Sequence, residues 1–407
     1  MQTADVIVIG GGIWGLSTAY HLARRNAGRV VVLERNQQLA AETTPQSAGQ
    51  IGQLRGDPVL ARAVGYTLDT VSQFAAQTGH DAAFVRSGSI HVALCDERAL
   101  QFEQLERVAQ EIGYPVSRIE PTDITQFAPT VNVDSVRAAL HVPNDGYVDA
   151  GACALAYGAA ARDQGANCLT SCQVTQVCRS GSVWQITTSQ GTWQAEHLII
   201  TGGAWTQSLT RQIGFTAPMY PIRLQQARTL ADGVAESHPV IRVPDESCYI
   251  RPERNAYLFG YFDPDPLPIN LDQQPPGFST RDVRPEPVLI RTAIERLTKV
   301  LPRLTQLSID EFRQGMMTCT PDGKFVVGPV PEAANVLVAT GCGGTGIAAS
   351  ATIGRWLSEW VCDGAPSEEV AQYDPARFGS QTADDEWLRS AACATSAAYY
   401  RLPSSRE

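Results

Sequence analysis

The sequence has no run of basic residues. Its 32 Lys and Arg are dispersed among 42 Asp and Glu, for a formal net charge of −10. Such a surface offers no patch for nucleic acid or an anionic membrane. No stretch approaches the roughly 18 apolar residues of a membrane span. The first apolar run, Val6 to Ile9, is too short for a signal peptide and enters a glycine turn. The ten cysteines are scattered; Cys168 and Cys172 are the nearest pair, with no second pair of like spacing beside them. No metal site is therefore expected, and free thiols in a reducing, cytoplasmic setting are. Internal repeats are absent, and none of the six histidines stands in a recognisable motif.

What is present describes a globular chain. With 407 residues, 43% hydrophobic and 18% charged, two interleaved domains are the first expectation. The opening reads strand (Asp5–Ile9), turn (Gly10–Gly12), helix (Ile13–Arg25) and strand (Val30–Leu33), a unit that builds a parallel sheet. Helices are expected over Pro58–Thr78, Glu97–Ile112, Asp149–Gln164, Pro287–Leu301 and Ile347–Val361. Cys172–Cys178, Val183–Thr188 and Thr192–Ala195 alternate like a small antiparallel meander, and Glu196–Thr201 reads as a separate strand. Pro218–Leu230, Val240–Val243, Cys248–Arg251 and Ala256–Tyr261 suggest a second sheet. From Ala376 the chain is polar and rich in Ala and Ser, and reads as a tail that either wraps the surface or frays.

Gly10-Gly11-Gly12-Ile13-Trp14-Gly15 lies between the first strand and helix. Gly10 permits the tight turn, Gly12 lets a pyrophosphate approach the backbone, and Gly15 lets helix and strand pack closely. The helix N-terminus then offers unpaired N–H groups to the anion. Glu34 ends the second strand, near the spacing of a carboxylate that binds ribose hydroxyls. Two further strands run into glycine turns: Thr201-Gly202-Gly203-Ala204-Trp205 and Thr340-Gly341-Cys342-Gly343-Gly344-Thr345-Gly346-Ile347.

Together these motifs resemble the D-amino-acid oxidase superfamily of FAD enzymes, in its sarcosine oxidase, glycine oxidase and dimethylglycine dehydrogenase branch. The likeness runs from residue 4 to about 375. It implies an α/β and α+β fold: a Rossmann-like FAD-binding domain (1–85, 146–217 and 322–375) and an interleaved substrate domain (86–145 and 218–321) on a mixed, largely antiparallel sheet, with 376–407 as a tail. It implies FAD held at Gly10–Gly15, Glu34, Arg35, Val174, Thr201, Gly202, Gly203 and Trp205. The loop Thr43, Thr44, Ser47, Ala48, Gly49 and Gln50 would run beneath the ring. Gly341, Gly343, Gly344, Thr345, Gly346 and Ile347 would open a helix whose N-terminus faces the flavin.

The sequence departs from the family at informative points. Where some relatives attach FAD through a Cys or a His, this chain has Gly315 and Gln46, so non-covalent FAD is expected, with Cys319 the thiol nearest the first of those positions. Leu258 aligns with a Lys that promotes oxygen reactivity in some members. Met317 and Ala348 align with positions that clamp a substrate carboxylate. The cations left for that task are Arg55, Arg223 and Arg251, with Tyr249, Tyr257 and Tyr261 as candidate walls; His91 and His141 read as structural.

The expected activity is oxidation of a C–N bond in an amino acid or N-alkyl amino acid, by hydride transfer to flavin N5 and hydrolysis of the imine. Oxygen or another acceptor would reoxidise the flavin. Two alternatives stand: a tailoring oxidase of a larger biosynthetic amine, or a flavin-bearing subunit of a hetero-oligomer. A hydroxy-acid or polyol dehydrogenase would need a base, usually His, and no motif supplies one.

Overall fold

A computed structural model describes residues 1–368 and 370–402. Its first sheet is built around the strand Gln2–Ile9, which pairs in parallel with Val30–Leu33 on one side and Gly191–Ile200 on the other. The last four residues of that strand are all buried, as expected of a parallel strand covered on both faces. Val336–Thr340 pairs in parallel with Gly191–Ile200, and Asn167–Leu169 with Val30–Leu33.

The helix Ile13–Arg24 packs between Ala150–Asp163 and Ser350–Asp363. The small residues of Ala150–Asp163 allow close packing, and Asp149 caps it by accepting from the Ala152 N–H at 3.0 Å. This layer places the starts of two helices, distant in sequence, at one end of the sheet.

The second sheet runs Ile309–Cys319, Tyr220–Thr229, Ala256–Tyr261, Cys248–Glu253, Val240–Val243, Ser89–Ala93, Ala138–Val142, Ser117–Ile119. It is antiparallel except where Val240–Val243 meets Ser89–Ala93. It is thus mixed and largely antiparallel. Its strands come from two stretches of chain that alternate with those of the first sheet. A three-stranded sheet of Gln50–Ile51, Gly146–Val148 and Phe84–Val85 joins the chain near the turns.

Three sequence expectations need correction. The residues read as the last meander strand and a separate strand form one continuous strand, Gly191–Ile200, whose first half pairs with Val183–Thr188 and whose second half enters the parallel sheet. Ile309–Cys319 is a long strand with no clear signature in the sequence. Its outer half is only partly buried, so apolar alternation is weak there. The segment after Ala376 is no surface tail. Asp384 caps a helix, Asp385–Ala397, whose Leu388 and Ala392 are fully buried against Tyr220, Ile222 and Met317. The end of the former tail range, 403–407, lies outside the described residues. Among the described residues, no helix is long and apolar enough to cross a membrane.

Candidate active site

The first glycine turn is shaped by what surrounds it. Gly10 has φ +112°, and a Cβ there would lie 2.5 Å from the Thr201 carbonyl oxygen. A Cβ on Gly15 would stand 1.9 Å from the Gly10 carbonyl oxygen, so helix and turn touch directly. Gly12 differs: its Cβ would meet only Thr44 Oγ1 at 3.5 Å. The space beyond Gly12 opens into a cleft. The helix that follows has no side-chain cap from its own N-cap residue and no acidic residue in its first turn; the Ile13 N–H donates to Thr44 Oγ1 at 3.2 Å, a neutral partner that leaves the charge of the helix end uncompensated. Its N-terminal dipole is therefore available to a bound anion.

The second glycine turn is brought to the first by specific bonds. Trp14 Nε1 donates to the Gly346 carbonyl at 2.7 Å. Thr318 Oγ1 accepts from the Gly341 and Cys342 N–H groups at 3.1 and 3.0 Å. Thr43 links the early loop to the long strand, accepting from the Met316 N–H at 3.1 Å. Gly315 packs 3.2 Å from Thr43 Cγ2, measured to its ideal Cβ.

Two adjoining clefts result, of about 1220 and 970 Å³, sharing Gly12, Thr43, Thr44, Thr201 and Gly203. The second holds Gly10, Glu34, Arg35, Val174, Gly202 and Trp205. Glu34 accepts from the Gly11 N–H at 2.8 Å and the Asn36 N–H at 2.7 Å, which fixes its carboxylate at the turn. The Arg35 guanidinium lies 3.6 Å from the centre of the Trp205 ring, a flat wall suited to a base or an aromatic ring. The first cleft is lined by Ile13, Trp14, Ser47, Ala48 and Gln50 and by Gly344, Gly346 and Ile347.

Not every expected cofactor residue faces these clefts. Gly15 and Gly49 are packing positions, Gly49 with φ +66° against the Val148 carbonyl. Gly341 turns the chain toward Thr318. Gly343 and Thr345 face a third cavity beyond the first cleft.

The expected substrate residues divide sharply. Arg55 and Tyr249 line the first cleft. Arg223 does not: it is half-buried on the second strand of the sheet, opposite Met316, and donates to the Arg284 carbonyl. Arg251 is buried as a strut, donating to the Ala48 and Pro252 carbonyls and pairing with Glu253 at 2.8 Å. Its role is to hold the early loop from behind. Tyr261 packs in the core beneath Arg296, and Tyr257 bonds Thr130. Leu258 is fully buried within the sheet. His141 stacks on Phe127, while His91 is buried beside Arg242, which with Arg55 and burial holds its pKa well below the ordinary range.

Among the lining residues absent from the sequence expectations are Arg242, Phe262, Tyr399 and Tyr400, with Leu224 and Gln226 beside them. Arg242 had a signal, a lone charge in the wholly buried strand Val240–Val243. It is 6% exposed and its Nε has no hydrogen-bond partner. Burial pushes its pKa down, but Tyr400, Tyr399 and Asp145 outweigh that, so it stays a cation. Among the described residues, no carboxylate lies within ion-pair distance of Arg242 or Arg55. Lysine occurs only at 299 and 324, so the cleft's cations are arginines. Tyr399 is buried, which alone would push its pKa up; Arg55 and Arg242 hold it below the ordinary value.

The residues fit a flavin dinucleotide: a helix start without a charged cap behind a glycine with open space, a carboxylate and a flat wall in one cleft, and small residues with Gly344 to Gly346 in the other. Among the described residues, no group of His, Cys, Asp and Glu is placed to hold a metal ion. Comparison with known proteins agrees with this arrangement. A model of the DAO family, described as FAD dependent oxidoreductase, matches residues 5–360. The chain is 30% identical over 387 residues to 4-methylaminobutanoate oxidase (formaldehyde-forming) of Paenarthrobacter nicotinovorans, covering 94% of this chain and 47% of that protein. It is 30% identical over 393 residues to human mitochondrial dimethylglycine dehydrogenase, covering 93% and 45%. The chain thus spans less than half the length of both relatives. The solved structure of L-proline dehydrogenase from P. horikoshii superposes with a TM-score of 0.83 at 22% identity, covering 93% of this chain and 98% of that one, a likeness of fold.

Proposed function

The chain belongs to the DAO family of FAD-dependent oxidoreductases, and from that premise we propose that it oxidises the C–N bond of a small amino acid or N-alkyl amino acid. One observation carries the choice of substrate class: two arginines, Arg55 and Arg242, border the flavin cleft without a carboxylate partner among the described residues. A buried guanidinium without a counter-ion is costly, and a substrate carboxylate relieves that cost.

The chain's own residues divide the work. Gly12 and the start of Ile13–Arg24 would hold the pyrophosphate, Glu34 and the Arg35–Trp205 wall the adenosine, and Thr44 to Ala48 with Gly344 to Ile347 the ring system. FAD supplies the two-electron acceptor for the carbon next to nitrogen. Arg55 and Arg242 orient the carboxylate, and so fix which C–H faces the ring. The same two cations disfavour a protonated amine beside them, so the substrate nitrogen gives up its proton to water before oxidation. Tyr249, Phe262 and Met317 exclude water from the reacting carbon. The early loop is braced from behind by Arg251 on the Ala48 carbonyl, and Gln226 Nε2 donates to the Gln46 carbonyl.

Oxygen or another electron acceptor completes the cycle in this reading. The ten cysteines, all free in the structure, support a reducing, cytoplasmic setting. The test is anaerobic reduction of the FAD-loaded chain by sarcosine, N,N-dimethylglycine, 4-methylaminobutanoate, glycine and proline, each beside the matching amine without a carboxylate. The reading expects flavin bleaching by at least one acid and by none of the decarboxylated partners. Bleaching only by large amines lacking a carboxylate would favour a tailoring oxidase. No bleaching by any amine would sink the enzyme reading in favour of a flavin-bearing subunit.

A further inference from the structure

The C-terminal helix ends against the active site. Tyr399 stacks on Phe262 with ring centres 3.9 Å apart and planes 4° apart, and Tyr400 meets Phe262 edge-on at 5.4 Å. A Cβ on Gly344 would lie 3.3 Å from the Tyr399 ring and 3.4 Å from Met317 Sδ. The Tyr399 ring therefore rests directly on the second glycine turn.

The pair is held firmly. Arg98, paired with Asp245 at 2.9 Å, donates to the Tyr400 carbonyl at 2.6 Å. Arg242 Nη1 lies 3.5 Å from the Tyr400 hydroxyl. Thr395 Oγ1 donates to the Thr320 carbonyl at 2.7 Å, which ties the helix to the chain leading into the second glycine turn.

Behind the two tyrosines lies another pocket, partly open to solvent and lined by Leu54, His91, Phe102, Leu105 and Cys319 among others. It shares with the flavin cleft only Arg55, Arg242, Met317, Tyr399 and Tyr400. These five side chains are a partition: on one face the flavin cleft, on the other a space with room for a much larger group.

We propose that Tyr399 and Tyr400 are the size-limiting wall of the substrate pocket, restricting the amine to small substituents by closing the flavin cleft off from the cavity behind. The inference rests on the functional reading above and deepens it, from an amino acid or N-alkyl amino acid to one whose nitrogen and α-carbon carry small groups. Shape alone gives the effect: a pocket discriminates against one methylene by roughly ten- to two-hundred-fold, and an aromatic ring is far larger.

The test uses the full chain loaded with FAD, as wild type, Tyr399→Ala, Tyr400→Ala and the conservative Tyr399→Phe. Two readouts are taken: kcat/KM for N-methylglycine against N-benzylglycine, and binding of the unreactive acids acetate and benzoate, followed by their perturbation of flavin absorbance. The expected result is that each Ala variant shifts the preference toward N-benzylglycine by at least about tenfold and admits benzoate that the wild type excludes, while Tyr399→Phe, which keeps the ring, keeps the wild-type preference between the two amines and still excludes benzoate. Unchanged preference and unchanged benzoate binding in variants that retain flavin would overturn the proposal. If Tyr399→Ala fails to hold flavin, Tyr399→Leu replaces it under the same criteria. A wild type that no amine reduces would refute the functional reading alone, and the benzoate titration would still decide the wall.

Discussion

Replacing Arg242 by Met separates a binding cation from a structural one. In the free protein Arg242 has no carboxylate partner among the described residues, its Nε is unpaired, and its one side-chain bond, to the Tyr400 hydroxyl, is long at 3.5 Å. Its surroundings favour the cation, Asp145 among them, but with no ion pair and one long hydrogen bond its replacement by an apolar chain of similar length is expected to cost no more than about 1–2 kcal/mol. In the substrate complex the loss is different. A hydrogen bond to a charged group contributes about 1.5–3 kcal/mol, and each 1.36 kcal/mol is tenfold in rate. The expected fall in kcat/KM is therefore roughly 10- to 150-fold. It should appear for the carboxylated substrate and be matched by a similar loss of affinity for the unreactive acid acetate, followed by its perturbation of flavin absorbance. Rapid anaerobic reduction gives the kinetic side and a thermal melt the stability side. If Arg242→Met lost more than about 3 kcal/mol of stability while reduction rates held, Arg242 would be a strut and the substrate assignment would lose its support.

The glycines of the first turn should behave oppositely to one another. Gly15→Ala forces a Cβ against the Gly10 carbonyl and should fail in folding, read as loss of soluble protein. Gly12→Val meets little protein, so it should fold with a native circular dichroism spectrum and lose FAD affinity. Gly315 and Gln46 line the cleft and offer no side chain for a covalent flavin link, so the prediction is non-covalent FAD: acid precipitation should leave the yellow colour in the supernatant, whereas colour in the pellet would show a covalent link. The network of Arg251, Glu253, Arg313 and Glu311 makes a pH prediction. Burial pushes the Glu253 pKa up, but Arg313 and Arg251 outweigh that and hold it below its ordinary 4.5. Its stabilisation is thus full above that value and is lost as pH falls through the lower folded-state pKa. Glu253→Gln should lower stability at neutral pH by about 3–5 kcal/mol, because it leaves Arg251 buried without its partner, and should flatten the acid side of the stability profile. A profile parallel to wild type would refute the assignment.

Much of the dinucleotide site was legible because its demands fall on backbone and on residue size. Gly10, Gly12 and Gly15 answer a steric requirement at fixed spacing, and the helix Pro58–Thr78 is marked by its own proline start and apolar face. The substrate side was far less legible. Arg223, Arg251 and Arg242 all sit on strands of one sheet, and sequence alone does not tell which is engaged elsewhere: Arg251 is occupied by Glu253 and two carbonyls, Arg223 turns to the Arg284 carbonyl, and only Arg242 reaches the cleft. Tyr399 and Tyr400 follow a polar, Ala-rich stretch whose composition reads as a tail. Their position depends on a helix packing across strands more than sixty residues upstream, a contact that no local pattern announces.

The most direct test of the whole account is the amount of FAD retained by the purified chain after reconstitution and gel filtration, wild type beside Gly12→Val. The account predicts one equivalent of flavin per chain in the wild type, with the absorbance bands of a bound ring, and little or none in the folded variant. A wild-type chain that stays colourless with FAD in excess, or a Gly12→Val variant that binds it equally well, would contradict the claim that the two glycine turns form one cofactor site.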